Sequence, residues 1–430
     1  MRKNIIIGLS VAAVVSAVMI HQDYSGDFPL FFPKTGHVHE YDHCFCECGD
    51  VEYTDTDDKT VIVSEKDLSS FEIWGDGSVF IPNTVERNGE QYTVVGLGNY
   101  LFQYNDNITF VEMPDTVKYI GVACFKECSK LVKADLPEGL EVIEYGAFEL
   151  CTSLREIKLP ESLRYISDFA FNHCSGVENS EIVIPKDLVQ LGKIPRYPKH
   201  MFYNCGKDDV FTRFVVEEGN PAYKSVDGIL YTKDGETLVS IPRGKVFDDG
   251  VYEMPDTVKY LGELSSSRNL NLKTVVISDN LIVDANRSSA QGQFNQREND
   301  LNMAFYGYSG VEAYQAKNSN PRYSSVDGVL YSKNLSTVIA VPPRYEGVLS
   351  VPEGTLRWNK CALYTNYLHF VGIFINRISE IQIPESLRYI EEEQVEIMNG
   401  LFDLYGTRIS VAEGNRFYQV NENGHLESKK

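Results

Sequence analysis

Apolar and polar residues alternate in short runs along most of the chain, and this period of two is the pattern of a β-strand with one buried face. In the run 154–159, Ile157 is predicted to point into a core, while Glu156 and Lys158 point to solvent. Pro160 follows directly and is expected to end the strand, because proline cannot donate a ladder hydrogen bond. The pattern therefore predicts many short strands that are separated by turns.

The same series of residues recurs at a fixed period of 23 positions. Each copy contains a proline, then an Ala-Phe or Cys-Phe pair, then a cysteine and a leucine or valine. The matching positions are Pro114, Pro137 and Pro160; Phe125, Phe148 and Phe171; and Cys128, Cys151 and Cys174. A period between about 20 and 29 residues with recurring leucines predicts a leucine-rich repeat solenoid. We therefore expect a curved right-handed coil of mainly short parallel strands, with loops and short helices.

A longer repeat is superposed on the short one. Residues 219–233 recur as residues 319–333, and each copy has an Asp-Gly pair between two β-prone runs, which suits a tight hairpin turn. The solenoid is therefore predicted to carry β-hairpin inserts. They are expected near residues 219–242 and 319–342, with a third, decayed copy at 413–426.

The predicted organisation follows from where these patterns begin and end. It is a signal peptide at 1–20, an irregular His/Cys-rich segment at 21–50, a β-rich cap at 51–93 and the solenoid at 94–426. The cap is expected to contain a hairpin around Asn88 and Gly89, because a first repeat needs an atypical partner that shields its outer face. The repeat pattern breaks at 186–199, where an irregular crossing is expected, and at 265–302, where a long loop or an irregular repeat is expected.

The N-terminus has the features of an export signal. Arg2 and Lys3 precede an apolar run from Ile5 to Ile20, and Ala17 ends a small-residue sequence that suits cleavage. Because a membrane span needs about 20 apolar residues, a signal peptide is favoured over an anchor. We expect a secreted or cell-surface protein with no other membrane segment.

The charge balance narrows the classes of partner. The chain has 61 acidic and 40 basic residues, which gives a formal net charge of -21. Nucleic acids and anionic membrane surfaces are disfavoured as partners, because both need a basic footprint. The acidity favours basic partners or divalent cations, and a simple need for solubility explains it equally well.

The repeated cysteines are predicted to be structural. The chain has nine cysteines, and Cys128, Cys151, Cys174 and Cys205 occupy the same place in successive repeats. Stacking of the coils would align them in a column along the edge of the core, where a thiol acts as a small buried hydrophobe. This interpretation is favoured over reactive thiols and over disulfides, which an exported protein can also form.

The repeat resembles that of a known family. The pattern Pro-x-x-Val-x-x-Ile-Gly-x-x-Ala-Phe-x-x-Cys-x-x-Leu-x-x-Ile-x-Leu-Pro is similar to the leucine-rich repeat of BspA-like bacterial surface antigens. The opening at 79–96 and the Asn-Pro-x-Tyr-x-Ser-Val-Asp-Gly-x-Leu-Tyr hairpin also resemble this family, so the resemblance covers about residues 51–426. It implies a secreted or surface-exposed protein that adheres to host proteins or to other cells, and it brings no catalytic residues.

One stretch near the N-terminus carries candidate metal chemistry. Residues 39–43 match the His-Glu-x-x-His string of zinc proteases, but no helical apolar pattern flanks them, so a chance match is favoured and no enzyme is expected. The same stretch puts six imidazole and thiol groups close together, which suits zinc or copper. These candidate metal ligands are His37, His39, His43, Cys44, Cys46 and Cys48. An unstructured or disulfide-linked linker is the favoured interpretation of this stretch. Metal capture is an alternative function, whereas the rest of the sequence implies no cofactor.

The leading hypothesis is a non-catalytic protein that binds extracellular proteins or glycans. In a solenoid the outward residues of the stacked strands form an extended binding surface. By the alternation of each strand these candidates are Lys133, Asp135, Glu156, Lys158, Glu181, Val183, Glu380 and Gln382. An ordinary solvated sheet face is the alternative, and the rival function is a scaffold that displays other segments without a ligand of its own.

Tyrosines on the predicted hairpins are a second candidate surface. They are Tyr223, Tyr231, Tyr323 and Tyr331. An exposed tyrosine could anchor a protein or a glycan, but packing against the neighbouring turn is the favoured interpretation.

Overall fold

The computed structural model describes residues 59–192, 201–207, 210–262, 269–282, 310–359, 362–363 and 377–429. The predicted signal peptide at 1–20 and the His/Cys-rich segment at 21–50 lie outside these residues, as do residues 193–199 of the first irregular stretch and residues 265–268 and 283–302 of the second. Within the second stretch, Thr274–Ile277 forms a strand. The described chain winds into coils that consist of short strands and tight turns.

The strands are short, and most of them pair with the equivalent strand of the next coil. In chain order they are β1 (Thr60–Val63), β2 (Glu72–Ile73), β3 (Ser78–Phe80), β4 (Thr84–Arg87), β5 (Glu90–Leu97), β6 (Phe110–Glu112), β7 (Tyr119–Ile120), β8 (Lys133–Asp135), β9 (Val142–Ile143), β10 (Tyr165–Ile166), β11 (Glu181–Ile184), β12 (Gln190–Leu191), β13 (Arg213–Val216), β14 (Tyr223–Val226), β15 (Ile229–Thr232), β16 (Thr237–Ser240), β17 (Val251–Glu253), β18 (Tyr260–Leu261), β19 (Thr274–Ile277), β20 (Ala313–Ala316), β21 (Tyr323–Val326), β22 (Val329–Ser332), β23 (Thr337–Ala340), β24 (Glu346–Ser350), β25 (Arg357–Trp358), β26 (Arg377–Ile383), β27 (Tyr389–Ile390), β28 (Arg408–Val411), β29 (Tyr418–Val420) and β30 (Leu426–Ser428).

Two parallel ladders run along the solenoid. Ladder A contains the strands that precede the proline of a repeat, in the sections β3–β6–β8, β11–β13, β17–β19–β20 and β24–β26–β28. Ladder B contains the strands that follow the proline, in the sections β1–β5–β7–β9–β10–β12, β16–β18 and β23–β25–β27. On the inner face of ladder B, Ile120, Ile143 and Ile166 lie opposite one another and are fully buried. This arrangement confirms the predicted leucine-rich repeat solenoid, whose core grows with each coil.

The third side of the early coils is a column of stacked phenylalanine rings. The rings of Phe102, Phe125, Phe148, Phe171 and Phe202 lie 5.2, 5.1, 5.3 and 5.8 Å apart between successive centroids and are nearly parallel. The backbone supports the column, because the amide of each of the first four rings donates a hydrogen bond to a carbonyl of the next coil. The column contains the three matching repeat positions Phe125, Phe148 and Phe171 and extends one coil further in each direction.

The repeated cysteines lie directly beside this column. Cys128, Cys151 and Cys174 are fully buried free thiols. Each Sγ donates a hydrogen bond to the carbonyl of a column phenylalanine in the preceding coil, at 3.0, 3.0 and 3.2 Å. The structural interpretation of these thiols is therefore confirmed.

The two long hairpins form partitions between successive parts of the core. In β15, Leu230 packs into the core of residues 61–239, whereas Ile229 and Tyr231 pack into the next core, which spans residues 229–340. This follows from the geometry of a strand, whose successive side chains point to opposite faces. In β22, Leu330 lies in that second core, and its neighbours on both sides lie in the third.

The predicted hairpins form as β14–β15 and β21–β22, and they are part of the coils. Their third strands, β16 and β23, pair in parallel with β18 and β25 and so belong to ladder B. The predicted Asp-Gly turns are confirmed, since Asp227, Gly228, Asp327 and Gly328 all have positive φ. The Asn88–Gly89 turn between the antiparallel strands β4 and β5 has the same geometry.

Buried asparagines form hydrogen bonds that join each hairpin, and one further coil, to the preceding coil. They are Asn220, Asn269, Asn320 and Asn415. The Nδ2 of Asn220 donates to the carbonyls of Pro185 and Leu188 at 2.7 and 3.0 Å. Its Oδ1 accepts from the amides of Ala222 and Tyr223 at 2.9 and 2.7 Å. Asn415 makes the equivalent four bonds before the β29–β30 hairpin, so the decayed third copy keeps this joint.

The substitution Asn220→Ala is expected to lower the free energy of unfolding by about 2–4 kcal/mol, because it leaves several buried backbone groups without their partner. Asn334→Ala is the matched control, since Asn334 also accepts a backbone hydrogen bond, from Ser336, but lies at an exposed turn. We expect the control to cost less than about 1 kcal/mol. Urea unfolding followed by circular dichroism measures both, and equal midpoint shifts would show that the buried joint has no special role.

One predicted strand does not form. Residues 154–159 have no ladder partner, although Ile157 points inward and is buried as expected. The next repeat is two residues longer, with 25 positions from Pro160 to Pro185. The side chain of Asn179 instead bonds the amide and carbonyl of Ile157, at 2.9 and 3.3 Å, and so replaces a backbone partner. Ladder A is interrupted here between β8 and β11.

Helical structure is sparse in the described residues. Two short 3-10 helices span Glu65–Ser70 and Asp248–Gly250, and helix α1 spans Glu392–Tyr405. Helix α1 contributes Met398 to the third core and ends at Gly406, which has the left-handed conformation of a helix C-terminus. No helix of the described residues is long and apolar enough to cross a membrane.

Candidate binding surface

The outer face of ladder A carries all eight side chains that the sequence analysis proposed for binding. Strand β8 carries Lys133 and Asp135, β11 carries Glu181 and Val183, β26 carries Glu380 and Gln382, and the irregular segment between β8 and β11 carries Glu156 and Lys158. All eight are exposed or half-buried, while alternate residues such as Ile182 and Ile381 are fully buried. Their outward orientation is therefore as predicted, and their role in binding stays a prediction.

Several charged side chains on this face form ion pairs with a neighbour, either in the same strand or in the next coil. Lys133 Nζ donates to Asp135 at 2.8 Å, and this hydrogen bond is the main reason why the pKa of Lys133 is raised. Arg213 Nε donates to Glu181 of the preceding coil at 2.7 Å. Exposed pairs of this kind contribute about 0–1 kcal/mol to stability, so they set the charge pattern of the surface more than the stability of the fold.

The later part of the face has a denser polar network around Glu380. Ser410 and Arg408 donate to its carboxylate at 2.8 and 2.7 Å. The hydrogen bond from Ser410, followed by one from Gln382, lowers the pKa of Glu380 below its usual value. Gln382 in turn accepts a hydrogen bond from Ser350 at 2.6 Å, so both predicted residues of β26 are held in fixed orientations.

The hairpin tyrosines are buried and do not form a second surface. Tyr223, Tyr231, Tyr323 and Tyr331 are between 1% and 6% exposed. The hydroxyl of Tyr223 accepts a hydrogen bond from the amide of Leu191 at 2.7 Å, which joins the first hairpin to the end of β12. Packing against the neighbouring coil, the favoured interpretation, is confirmed.

An aromatic strip that the sequence analysis missed lies at the N-terminal end of the same face. It consists of Trp74, Phe80 and Phe110. Trp74 directly follows β2, Phe80 lies in β3 and Phe110 lies in β6. The Trp74 and Phe80 rings are 5.0 Å apart, and the Phe80 and Phe110 rings are 6.0 Å apart. Lys133 continues the row, with its Nζ 5.5 Å from the centroid of Phe110. Trp74 is 57% exposed, which is unusual for so large an apolar side chain.

Carboxylates surround the exposed end of the aromatic strip. In the register of the sheet, Phe80 lies opposite Glu72 on one side and opposite Glu112 on the other. Asp76 lies in the turn between β2 and β3 and accepts a hydrogen bond from the amide of Ser78 at 2.9 Å. This hydrogen bond is the main reason why the pKa of Asp76 is lowered. The three carboxylates are exposed, so this end of the face combines apolar rings with negative charge.

The outward direction of two of the three rings could be predicted from the sequence. The alternation in β3 and β6 places Val79 and Val111 in the core, and it therefore places Phe80 and Phe110 outside. What the sequence did not supply was the register that brings these rings next to Trp74.

The candidate metal ligands cannot be placed on this surface. His37, His39, His43, Cys44, Cys46 and Cys48 lie outside the described residues, as does the zinc-protease string at 39–43. Within the described ranges, no group of three or more His, Cys, Asp or Glu side chains is arranged to hold a metal ion.

Comparison with known proteins agrees with the repeat pattern. Residues 95–213 match the BspA type leucine rich repeat region, in six copies. A comparison with curated proteins found no match.

Several solved structures are similar to this chain. A leucine rich cell surface protein from Faecalibacterium prausnitzii shares 16% identity over 80% of this chain and 92% of that chain, with a TM-score of 0.42. A leucine-rich repeat protein from Eubacterium ventriosum shares 15% identity over 82% of this chain and 96% of that chain, with a TM-score of 0.46. The pneumococcal vaccine antigen PcpA shares 19% identity over 82% of this chain and 92% of that chain, with a TM-score of 0.41.

Proposed function

Since the chain belongs to the proteins with BspA-type leucine-rich repeats, we propose that it is a secreted or cell-surface protein that binds extracellular proteins or glycans without catalysis. The outer face of ladder A is the proposed binding surface. The export signal expected at 1–20 supports the location, and the family resemblance supports adhesion.

One observation is the main support for this proposal. Over most of the described chain, the strands of ladder A present outward side chains at the regular spacing of stacked strands. Neighbouring strands lie about 4.8 Å apart, so equivalent side chains of successive coils form rows on the outer face of each section of ladder A. Such a face suits an extended macromolecular partner, whereas a small-molecule substrate needs a concave pocket with converging polar groups.

Reversing two charges on this face is expected to weaken binding. We expect the full chain to bind at least one component of an array of extracellular-matrix proteins, mucins and glycans at physiological salt. The double variant Glu156→Lys with Glu181→Lys should reduce that affinity about tenfold or more, because complementary charges set both the association rate and the choice of partner.

The matched control is the double variant Glu161→Lys with Glu393→Lys. It makes the same change in net charge at two exposed positions, one directly after Pro160 and one on α1, neither of which belongs to a strand of ladder A. Equal weakening in both variants would mean that only net charge matters, which contradicts a binding site on ladder A. An array with no saturable hit for the folded, monodisperse protein would favour the rival scaffold function.

A further inference from the structure

The aromatic strip is chemically unlike the rest of ladder A. Several outward charges elsewhere on this face are paired with one another, as Glu181 is with Arg213. At the strip, the side chain of Trp74 is 57% exposed. Strands β2, β3 and β6 carry no lysine or arginine, so they cannot themselves neutralise the carboxylates of Glu72 and Glu112.

The tilt of the rings decides what kind of ligand fits. The Trp74 and Phe80 planes are inclined by 44°, and the Phe80 and Phe110 planes by 65°. These rings therefore do not form one flat platform on which successive sugar rings could stack. Each ring instead presents its own face, and the negative face of an aromatic ring attracts a compact cation.

The protein itself uses this interaction at the far end of the strip. Lys133 Nζ lies 5.5 Å from the centroid of Phe110 and donates to Asp135 at 2.8 Å. A cation, a ring face and a carboxylate thus form one unit. At the Trp74 end, the exposed ring and the exposed carboxylates of Glu72 and Asp76 are present, and the described strands β2 and β3 carry no lysine or arginine.

We propose that Trp74 and Phe80, with the carboxylates of Glu72 and Asp76, bind a lysine or arginine side chain from a basic segment of a protein partner. The proposal rests on the proposed function and names the chemistry of its partner. Tryptophan is the aromatic residue that binds cations best. The formal net charge of -21 would attract such a segment from a distance.

The two tryptophans of the chain allow a direct test. Trp358 is 1% exposed, and its Nε1 donates to Gln394 at 3.0 Å, so Trp74 alone should report on a surface ligand. We expect a short peptide that alternates lysine with glycine to change the long-wavelength emission of the full chain saturably. A peptide with glutamine in place of lysine should leave the emission unchanged.

Affinity is measured separately by the anisotropy of the labelled lysine peptide, because removing Trp74 also removes the reporter. Trp74→Ala is expected to weaken binding about three- to tenfold, and Trp74→Phe should recover part of that loss. Tyr100→Ala is the matched control, since Tyr100 is a similarly exposed aromatic residue on the turn side and should leave affinity unchanged.

Equal affinity of Trp74→Ala and the unchanged protein would overturn the proposal. So would equal binding of the glutamine peptide, or a response of Trp74 to a chitin oligosaccharide but not to the lysine peptide. If Trp74→Ala still binds the array partner at full affinity while charge reversal on ladder A abolishes binding, this inference fails and the proposed function stands. If the lysine peptide binds through Trp74 but the double variant Glu156→Lys with Glu181→Lys binds the array partner at full affinity, this inference stands and the proposed binding site at Glu156 and Glu181 fails.

Discussion

The folded protein is expected to lose its stability steeply as the pH rises from about 9 to about 11. Burial raises the pKa of Cys128 and Cys205 to about 12, and it raises the pKa of Cys124, Cys151 and Cys174 well above the usual value. The folded state therefore keeps these thiols protonated, whereas the unfolded chain releases their protons above about pH 8.5.

The sign of the effect follows from this difference. A group whose pKa is higher in the folded state contributes its full stability below the unfolded pKa and loses it as the pH rises toward the folded pKa. Each thiol then costs about 1.4 kcal/mol per pH unit, so five thiols together cost about 7 kcal/mol per pH unit, which is comparable to a typical stability of about 5–15 kcal/mol. Buried Tyr252, whose pKa is also raised by burial, adds to the loss above about pH 10.

Urea unfolding at a series of pH values measures this loss. The variant Cys151→Ala removes one buried thiol, so its free energy of unfolding should fall with pH less steeply than that of the unchanged protein, by about 1.4 kcal/mol per pH unit. A stability that stays constant from about pH 8 to about pH 11 would contradict the burial of these thiols.

Truncating the middle of the phenylalanine column is expected to be the most damaging single substitution outside the termini of the coil. Phe148 is fully buried, and its ring stacks on Phe125 at 5.1 Å and on Phe171 at 5.3 Å. Phe148→Ala removes both stacking contacts and leaves a cavity, which costs about 3–5 kcal/mol. The urea midpoint of the full chain, followed by circular dichroism, is the measurement.

Tyr100→Ala provides the control for this substitution. Tyr100 lies on the same side of the coil but is 52% exposed, and the equivalent position of the next repeat is Ala123. Both residues have a left-handed backbone, so alanine already occupies this conformation in the native chain. We expect a loss of less than about 0.5 kcal/mol, and a loss as large as that of Phe148→Ala would mean that the column has no special importance.

The repeat itself could be predicted because its physical causes are local. In the early coils a proline follows strands of ladder A such as β6 and β8, a phenylalanine fills the turn, and a fixed period places equal residues above one another. These rules locate Phe125, Phe148 and Cys151 without any knowledge of the fold. They also give the outward direction of Glu181 and Val183, because alternation along a strand fixes which side chains point away from the core.

The partitions between the cores have a local sequence pattern from which they could have been predicted. Ile229, Leu230 and Tyr231 are three consecutive apolar residues, and a strand with this composition is buried on both faces. The same pattern recurs at 329–331. A hairpin insert that lies on the surface would have kept the alternation seen elsewhere.

Other features depend on register and could not be predicted. The two extra residues before Pro185 were visible, but only the folded chain shows that the side chain of Asn179 replaces a strand at Ile157. The aromatic strip joins residues that are up to 36 positions apart, from Trp74 to Phe110, through the pairing of short strands. No local pattern specifies such a pairing.

Carboxyl footprinting tests most directly whether the outer face of ladder A binds a partner. Carbodiimide coupling of glycine ethyl ester to exposed carboxylates is measured by peptide mass spectrometry, with and without the extracellular protein that the array identifies. We predict that the partner reduces labelling of Glu112, Asp135 and Glu156 on ladder A, while Glu161 and Glu393 keep their full labelling. Protection of Glu161 or Glu393 with unchanged labelling along ladder A would contradict the proposed binding surface.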